Sequence, residues 1–218
     1  MILDIFTVFS RMFEGPFSCG GIKTAKEEGI VTIRVWDLRD FTDDPHRRID
    51  DYPYGGGPGM VLKVEPISNG IKSVKDKDAK VILLSPQGKL YTQQDAHTLA
   101  KEKHLIFVCG RYRGVDERVR EALVDMEFSI GNYILAGGEL ACMVIVESIV
   151  RLLPGVVKNP ESISSDSFEL FDPPLYTRPR EFEGLKVPEV LFSGDHQKVS
   201  KWTAERRRKS LIPNENNR

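Results

Sequence analysis

Residues 80–114 read KVILLSPQGKLYTQQDAHTLAKEKHLIFVCGRYRG. This stretch contains two short runs rich in Val, Ile, Leu and Phe, at residues 80–85 and 105–109, and each predicts a buried strand. Between them, residues 93–103 have helical spacing and a charged outer face. A strand, a helix and a second strand in series favour parallel pairing. The stretch therefore predicts an α/β fold with a mostly parallel sheet.

The same alternation continues on both sides of this unit. Upstream, apolar runs at residues 2–9 and 30–36 predict two more buried strands. Downstream, residues 115–124 (VDERVREALV) predict a helix, and a short segment follows at 126–130. Residues 138–153 (GELACMVIVESIVRLL) are too long for a strand and predict a largely buried helix.

The last third of the chain has a different character. Residues 156–183 lose any period and contain several prolines, which is typical of a long linker or a lid. Helical spacing returns over residues 194–210, with a local excess of Lys and Arg. We expect an α/β domain at residues 1–158, a linker or lid at 159–180 and a short helical domain at 181–218.

Composition excludes several classes of protein. The 218 residues are 40% apolar and 29% charged, as in a soluble globular domain. Lys and Arg total 31 against 32 Asp and Glu, so any basic surface is local. Three scattered cysteines and four histidines have no metal-ligand spacing, and we predict no zinc site. The chain has no apolar run long enough to span a membrane and no export signal at its start, so we expect it in the cytoplasm.

Three loops each follow a predicted apolar segment, at residues 85–88 (SPQG), 110–114 (GRYRG) and 131–138 (GNYILAGG). Ligands of open parallel sheets bind beyond the carboxyl ends of the strands, so the three loops would converge on one crevice. The loops offer backbone groups and few charged side chains, which suits an adenine better than a triphosphate. Each loop taken alone is more typical of a structural turn than of a binding site.

A dense glycine cluster lies at residues 54–60 (YGGGPGM). No Lys-Ser or Lys-Thr pair follows the cluster, and no strand leads into it. It satisfies neither a P-loop nor a dinucleotide fingerprint, which argues against a nucleotide hydrolase. A flexible turn is the simpler interpretation.

Taken together, these segments resemble bacterial tRNA (guanine-N1)-methyltransferases, in order over roughly residues 1–202. The motifs that carry the resemblance are residues 50–60 (DDYPYGGGPGM), 85–88 (SPQG), 108–112 (VCGRY), 114–119 (GVDERV), 137–140 (GGEL), 151–156 (RLLPGV), 166–168 (DSF), 176–179 (YTRP) and 187–191 (VPEVL). The resemblance implies a SPOUT-class fold with a C-terminal trefoil knot, acting as a homodimer. It also implies that the N-terminal domain binds S-adenosylmethionine and that the substrate is the guanosine 3′ to the tRNA anticodon, at position 37.

The family's site residues carry over onto this chain by motif. The resemblance assigns the general base to Asp166 and the cation that stabilises charge on guanine O6 to Arg151. Without it, Asp166 reads as a turn residue and Arg151 as an ordinary cation at a helix end. The positions that the resemblance assigns to the cofactor are Leu84, Ser85, Pro86, Gly110, Tyr112, Ile130, Gly131, Asn132, Tyr133, Ile134, Leu135, Gly137 and Gly138.

Candidate RNA contacts follow from positive charge and one aromatic ring. Phosphate neutralisation beside a stacking ring is a common RNA-binding arrangement, although a solvated face would look the same. The candidates are Arg47, Arg48, Arg178, Lys201, Trp202, Arg206, Arg207 and Arg208.

Two positions depart from the family pattern inside the predicted cofactor loops. Arg113 stands where an acidic residue usually follows Arg-Tyr, which argues against a magnesium or substrate-amine contact at this position. Asn132 stands where the family usually has Asp, so a negative charge near the methionine end of the cofactor is absent. The chain ends at Arg218, where relatives continue, so we expect a shortened tRNA-anchoring domain. These departures favour the alternative of a non-catalytic RNA-binding paralogue, against which the presence of both Arg151 and Asp166 argues.

Overall fold

A computed structural model describes residues 1–157 and 173–210, with side chains to residue 207. The chain divides into two compact units, Met1–Lys158 and Asn159–Arg218. Within the described ranges, no helix is both long enough and apolar enough to cross a bilayer.

The first unit is built on a five-stranded sheet within residues 1–157. Its strands lie in the order β2-β1-β6-β5-β7, and every ladder between neighbours is parallel. The strands of this sheet are β1 (Ile2–Thr7), β2 (Thr32–Asp37), β5 (Ala79–Leu90), β6 (His104–Cys109) and β7 (Met126–Ser129). A short antiparallel pair, β3 (Asp50–Asp51) and β4 (Val61–Leu62), lies outside it. The predicted parallel α/β sheet is confirmed.

Helices cover both faces of this sheet. One buried cluster contains side chains of α1, α3 and α5, and the other contains side chains of α2 and α4. The helices of this unit are α1 (Gly20–Glu27), α2 (Val64–Val74), α3 (Gln93–Leu99), α4 (Glu117–Ala122) and α5 (Glu139–Leu152). Burial on both faces explains the continuous apolar run of the central strand β6. Strand β2 was predicted to be buried, but it lies at the sheet edge and none of its residues is fully buried.

Helix α2 was not predicted, because it contains Pro66 and Gly70, which look like breakers in the sequence. Pro66 lies in the first turn, where its missing N–H has no intrahelical partner to lose. A Cβ at Gly70 would lie 2.6 Å from the Phe6 ring, so glycine lets the helix approach the sheet. Both apparent breakers are therefore compatible with a helix in this position.

Strand β5 is longer than the predicted 80–85. Its pairing with β7 shifts register between Leu84 and Lys89, so residues 85–88 bulge out of the ladder and pairing then resumes. A Cβ at Gly88 would lie 2.6 Å from the backbone of Phe128. The bulge places the first predicted loop at the carboxyl end of the sheet, beside the end of β7.

The second unit contains a two-stranded hairpin and a helix in its described part. Strands β8 (Glu181–Phe182) and β9 (Leu185–Lys186) pair, so the expectation that residues 156–183 have no regular structure is wrong at 181–182. A strand of only two residues has too short a pattern to be recognised in a segment that contains several prolines. Helix α6 (His196–Ser210) confirms the predicted basic helix. Asp195 accepts hydrogen bonds from the backbone N–H groups of Gln197 and Lys198, which fixes the start of the helix.

Candidate functional site

A cavity of about 180 Å³ lies beyond the carboxyl ends of β5, β6 and β7. The three loops that the sequence predicted to converge form its wall. The predicted cofactor residues that line it are Leu84, Ser85, Pro86, Gly110, Tyr112, Ile130, Gly131, Tyr133, Ile134, Leu135, Gly137 and Gly138. Asn132 is exposed and does not belong to the wall.

Glycines allow the loops to approach one another closely. The N–H of Gly138 donates to the carbonyl of Gly110 at 2.9 Å, and Arg111 forms an antiparallel bridge with Gly137. A Cβ at Gly138 would lie 2.9 Å from the Cα of Cys109 and 3.1 Å from the nitrogen of Gly110. Glycine at 138 therefore lets the second and third loops pack against each other without a side chain between them. The apolar side chains around these loops suit a flat, uncharged ring such as adenine.

A buried carboxylate beside the cavity holds two of its loops together. Glu139, at the start of α5, is 1% exposed and accepts a hydrogen bond from the Thr7 hydroxyl at 2.9 Å. Arg111 Nε donates to the same Oε1 at 3.3 Å, and Arg111 Nη1 donates to the carbonyl of Ala136 at 3.1 Å. The Arg111 guanidinium also lies 4.3 Å from the centre of the Phe9 ring. This network fixes the third loop against the second.

The sequence analysis missed Arg111 and Glu139 as site residues. They are 28 positions apart, and no local pattern marks them as partners. The available signal was the presence of an acid within an apolar helix, because a buried carboxylate needs a partner.

Two further arginines line the cavity. Arg120 donates to the carboxylate of Glu127 at 3.0–3.1 Å and to the side-chain oxygen of Gln87 at 3.0 Å. The hydrogen bond to the Glu127 carboxylate raises the pKa of Arg120 above its usual value. Arg113 donates from Nη1 to the carbonyl of Pro58 at 3.1 Å. The glycine cluster at residues 54–60 therefore contacts the rim of the cavity, which the sequence did not predict.

Tyr112 lies on the cavity wall in a left-handed backbone conformation, with φ of 59°. Burial, together with the negative charge of Asp50, raises the pKa of its hydroxyl. The phenol therefore stays neutral at physiological pH.

The cysteines near the cavity belong to the core, as predicted. Cys109 and Cys142 are both fully buried. Burial, together with its neighbour Cys142, raises the pKa of the Cys109 thiol well above its usual value. Neither thiol is exposed enough to act as a nucleophile.

Of the two predicted catalytic residues, Arg151 is described, and it does not line this cavity. Arg151 lies exposed in the last turn of α5, twelve residues from Glu139, which corresponds to about 18 Å along the helix axis. It lines a second cavity of about 320 Å³ together with Gly21, Glu147 and Val156. Asp166 lies outside the described residues.

The predicted RNA contacts fall into two groups. In the first unit, Arg47 forms an ion pair with Asp40, and Arg48 forms one with Asp44 at 2.8 Å. The Arg48 guanidinium holds the pKa of the Asp44 carboxyl well below its usual range. These arginines are partnered within their own loop, as on an ordinary solvated surface.

The second group belongs to the second unit. Trp202 is half-buried, with the Arg206 guanidinium 5.6 Å from its ring centre and the Tyr176 ring at 6.4 Å. Lys201 and Arg178 are exposed, Arg207 is partly buried, and the side chain of Arg208 is outside the described part. The helix thus joins positive charge to an aromatic pair.

Among the described side chains, no three of His, Cys, Asp or Glu lie close enough together to hold a metal ion. His104 is buried between Asp4 at 2.8 Å and Asp76 at 3.0 Å, on the opposite sheet face from α5. Arg34 and Trp36 also donate to Asp4, so this cluster is a satisfied core network.

Comparison with known proteins points to one family. The family model described as "tRNA (Guanine-1)-methyltransferase TrmD" matches residues 1–215. A protein of Dictyoglomus turgidum named tRNA (guanine-N(1)-)-methyltransferase is 51% identical over 211 residues, which cover 96% of this chain and 84% of that protein. A protein of the same name from Carboxydothermus hydrogenoformans is 50% identical over 97% of this chain and 83% of its own length. Another from Geobacillus kaustophilus is 52% identical over 93% of this chain and 84% of its own length.

Proposed function

The chain belongs to the tRNA (guanine-1)-methyltransferase family, and we propose that it methylates N1 of the guanosine 3′ to the anticodon in tRNA, with S-adenosylmethionine as methyl donor. The observation that carries the proposal is the glycine-lined cavity at the carboxyl ends of β5, β6 and β7. It lies where a parallel sheet binds ligands, and its wall combines glycines with apolar side chains such as Leu84, Ile130 and Leu135.

The residues present fit S-adenosylmethionine. Gly110 and Gly138 let the cavity loops approach one another closely, and Leu84, Ile130 and Leu135 supply apolar contacts for an adenosine. When bound, the donor supplies a methyl group made electrophilic by its sulfonium. The protein's task is to align that group with the acceptor nitrogen and to exclude water.

The acceptor needs a base and a cation. Guanine N1 becomes nucleophilic only as its proton leaves, and the motif match assigns that proton to Asp166. Negative charge then grows on O6, where a guanidinium such as that of Arg151 would stabilise it.

The position of Arg151 favours a homodimer. Arg151 lies about 15 Å along α5 from Ala141, the helix residue that lines the cavity, so a second copy could bring its own Arg151 to the methyl donor. The exposed residues of α5 form one stripe, namely Leu140, Val144, Glu147 and Arg151. Leu140 and Val144 are each 50% exposed, and Phe9 and Met12 add exposed apolar surface near the start of the helix. Such a stripe is typical of an interface between subunits.

The remaining parts of the proposal follow from family membership. The chain would form the trefoil knot of SPOUT enzymes, work in the cytoplasm and bind tRNA through the predicted helical domain at residues 181–218. Arg113 replaces the acidic residue that could contact magnesium in the family, so the proposal includes no magnesium ion.

The decisive experiment is methylation of unmodified tRNA by the purified protein with labelled S-adenosylmethionine, followed by location of the modified base. Label at N1 of the guanosine 3′ to the anticodon is the expected result. Tight tRNA binding without methyl transfer would instead support a non-catalytic paralogue. The two departures from the family pattern, Arg113 and Asn132, favour that alternative.

A further inference from the structure

Three arginines line the cavity, and they differ in how their charges are balanced. Arg111 is paired with the buried Glu139, and Arg120 is paired with Glu127 and Glu117. Arg113 has no carboxylate oxygen within 4.0 Å among the described residues. Every other arginine within residues 1–150 has one. The cavity rim therefore carries one cation whose charge the described protein does not balance.

The glycine cluster at residues 54–60 holds Arg113 in place. The backbone N–H of Arg113 donates to the carbonyl of Met60 at 3.0 Å, and its Nη1 donates to the carbonyl of Pro58 at 3.1 Å. A Cβ at Gly57 would lie 3.0 Å from Nη1, and one at Gly59 would lie 3.0 Å from Cγ and Cδ. The exposed side chain thus packs along two glycines and is oriented by one hydrogen bond of its own.

Only Nη1 of the Arg113 guanidinium donates to a described protein group. Nε and Nη2 remain for a ligand, and they form one edge of the planar fork that matches a carboxylate with two parallel hydrogen bonds. A pre-organised arginine loses less side-chain entropy on binding than a mobile one. The arrangement has the features of an anion subsite.

We propose that Arg113 binds the carboxylate at the methionine end of the methyl donor. The proposal rests on the proposed function, since S-adenosylmethionine carries one carboxylate and Arg113 is the cavity arginine without a described acidic partner. A tRNA phosphate is the competing anion, but Arg113 lines the same small cavity as the loops that fit the adenosine, which favours the donor.

The test compares two ligands and two variants by calorimetry. The ligands are S-adenosylmethionine and its decarboxylated analogue, which keeps the adenosine and the sulfonium. The variants are Arg113→Gln, which removes the charge, and Arg118→Gln, a matched control whose exposed arginine is paired with Asp116. We expect Arg113→Gln to weaken S-adenosylmethionine roughly tenfold, the scale of a partly solvated charged hydrogen bond, and to leave the analogue unchanged. Arg118→Gln should change neither affinity.

Three outcomes would overturn the assignment. Equal losses for both ligands would show that Arg113 only shapes the cavity through the glycine cluster. Unchanged donor affinity together with weaker tRNA binding and a shallower salt dependence would give the residue to a phosphate. If Arg113→Gln binds S-adenosylmethionine, the analogue and tRNA with unchanged affinity, Arg113 takes no part in recognising any of them. Absence of S-adenosylmethionine binding by the unaltered protein would instead contradict the proposed function itself.

Discussion

At the scale of single residues, Arg151 is the cation with the clearest predicted role. Replacement by Ala should slow single-turnover methyl transfer by an amount on the order of 3 kcal/mol, comparable to the loss of an oxyanion donor. Arg151→Lys should recover little of this rate, because lysine lacks the planar fork. Rapid quenching under single turnover measures both rates. Full activity in Arg151→Lys would show that a point charge suffices.

Asp166 is the residue to which the motif match gives the proton of N1. Asp166→Asn should reduce single-turnover transfer by roughly 10² to 10⁴, the usual contribution of a general base. Calorimetry of S-adenosylmethionine with the same variant is the control and should show little change in affinity. A near-normal rate in the variant would remove Asp166 from the chemistry.

The sequence predicted the role of a residue where that role depends on its neighbours along the chain, and failed where it depends on contacts with distant positions. Cys109 and Cys142 were predicted as core residues from their apolar surroundings, and both are fully buried. The pairing of Arg111 with Glu139 was not predicted, because it depends on how β6 and α5 meet in space. The contact of Arg113 with the glycine cluster escaped prediction for the same reason, since it joins positions 55 residues apart.

At the scale of elements, the close approach of the second and third loops is testable at Gly138. Gly138→Ala places a methyl group 2.9 Å from the backbone of Cys109, so the loops must separate. We expect weaker S-adenosylmethionine binding in a folded protein, with a loss of about 1–3 kcal/mol in the free energy of unfolding from overpacking. Calorimetry and thermal melting measure the two effects.

Gly15→Ala is the matched control for that substitution. Its Cβ would meet nothing within 4 Å, and its φ of −65° and ψ of −60° suit alanine. Both measurements should stay unchanged in the control. Unaltered donor affinity in a folded Gly138→Ala would take this loop contact out of the site.

Elements with a strong hydrophobic period were the ones that sequence reasoning located. The structure confirms the four predicted strands as β1, β2, β5 and β6. Strands β1 and β6 are buried, β5 is buried in its first half and extends to Leu90, and β2 is a half-exposed edge strand rather than a buried one. Helix α2 was missed because Pro66 and Gly70 mimic a turn, although tertiary contacts use both. The bulge in β5 has no sequence signal beyond Pro86 and Gly88, because a register shift is a property of two strands together.

At the scale of the whole molecule, charge is distributed unevenly although the formal net charge is −1. Attraction to a polyanion must then come from patches. In the first unit, Arg47 and Arg48 are neutralised by neighbouring acids, whereas α6 carries a run of basic residues beside Trp202. Helix α6 is therefore the strongest candidate for gripping tRNA.

Neutralising Arg206, Arg207 and Arg208 together by replacement with Gln tests that role, and Gln keeps the helix propensity. The triple variant should bind tRNA more weakly, with a salt dependence shallower by roughly 0.7 to 0.9 log units for each phosphate that the helix no longer neutralises. Titrations at several salt concentrations measure the slope. Affinity for S-adenosylmethionine should not change, because the proposed cavity for this cofactor is built from residues of the first unit.

Replacing Lys72, Lys75 and Lys77 of the first unit by Gln is the control with the same change in charge. An unchanged slope in the arginine variant would show that α6 is only a solvated face and would direct attention to Arg178, since Arg47 and Arg48 already have acidic partners.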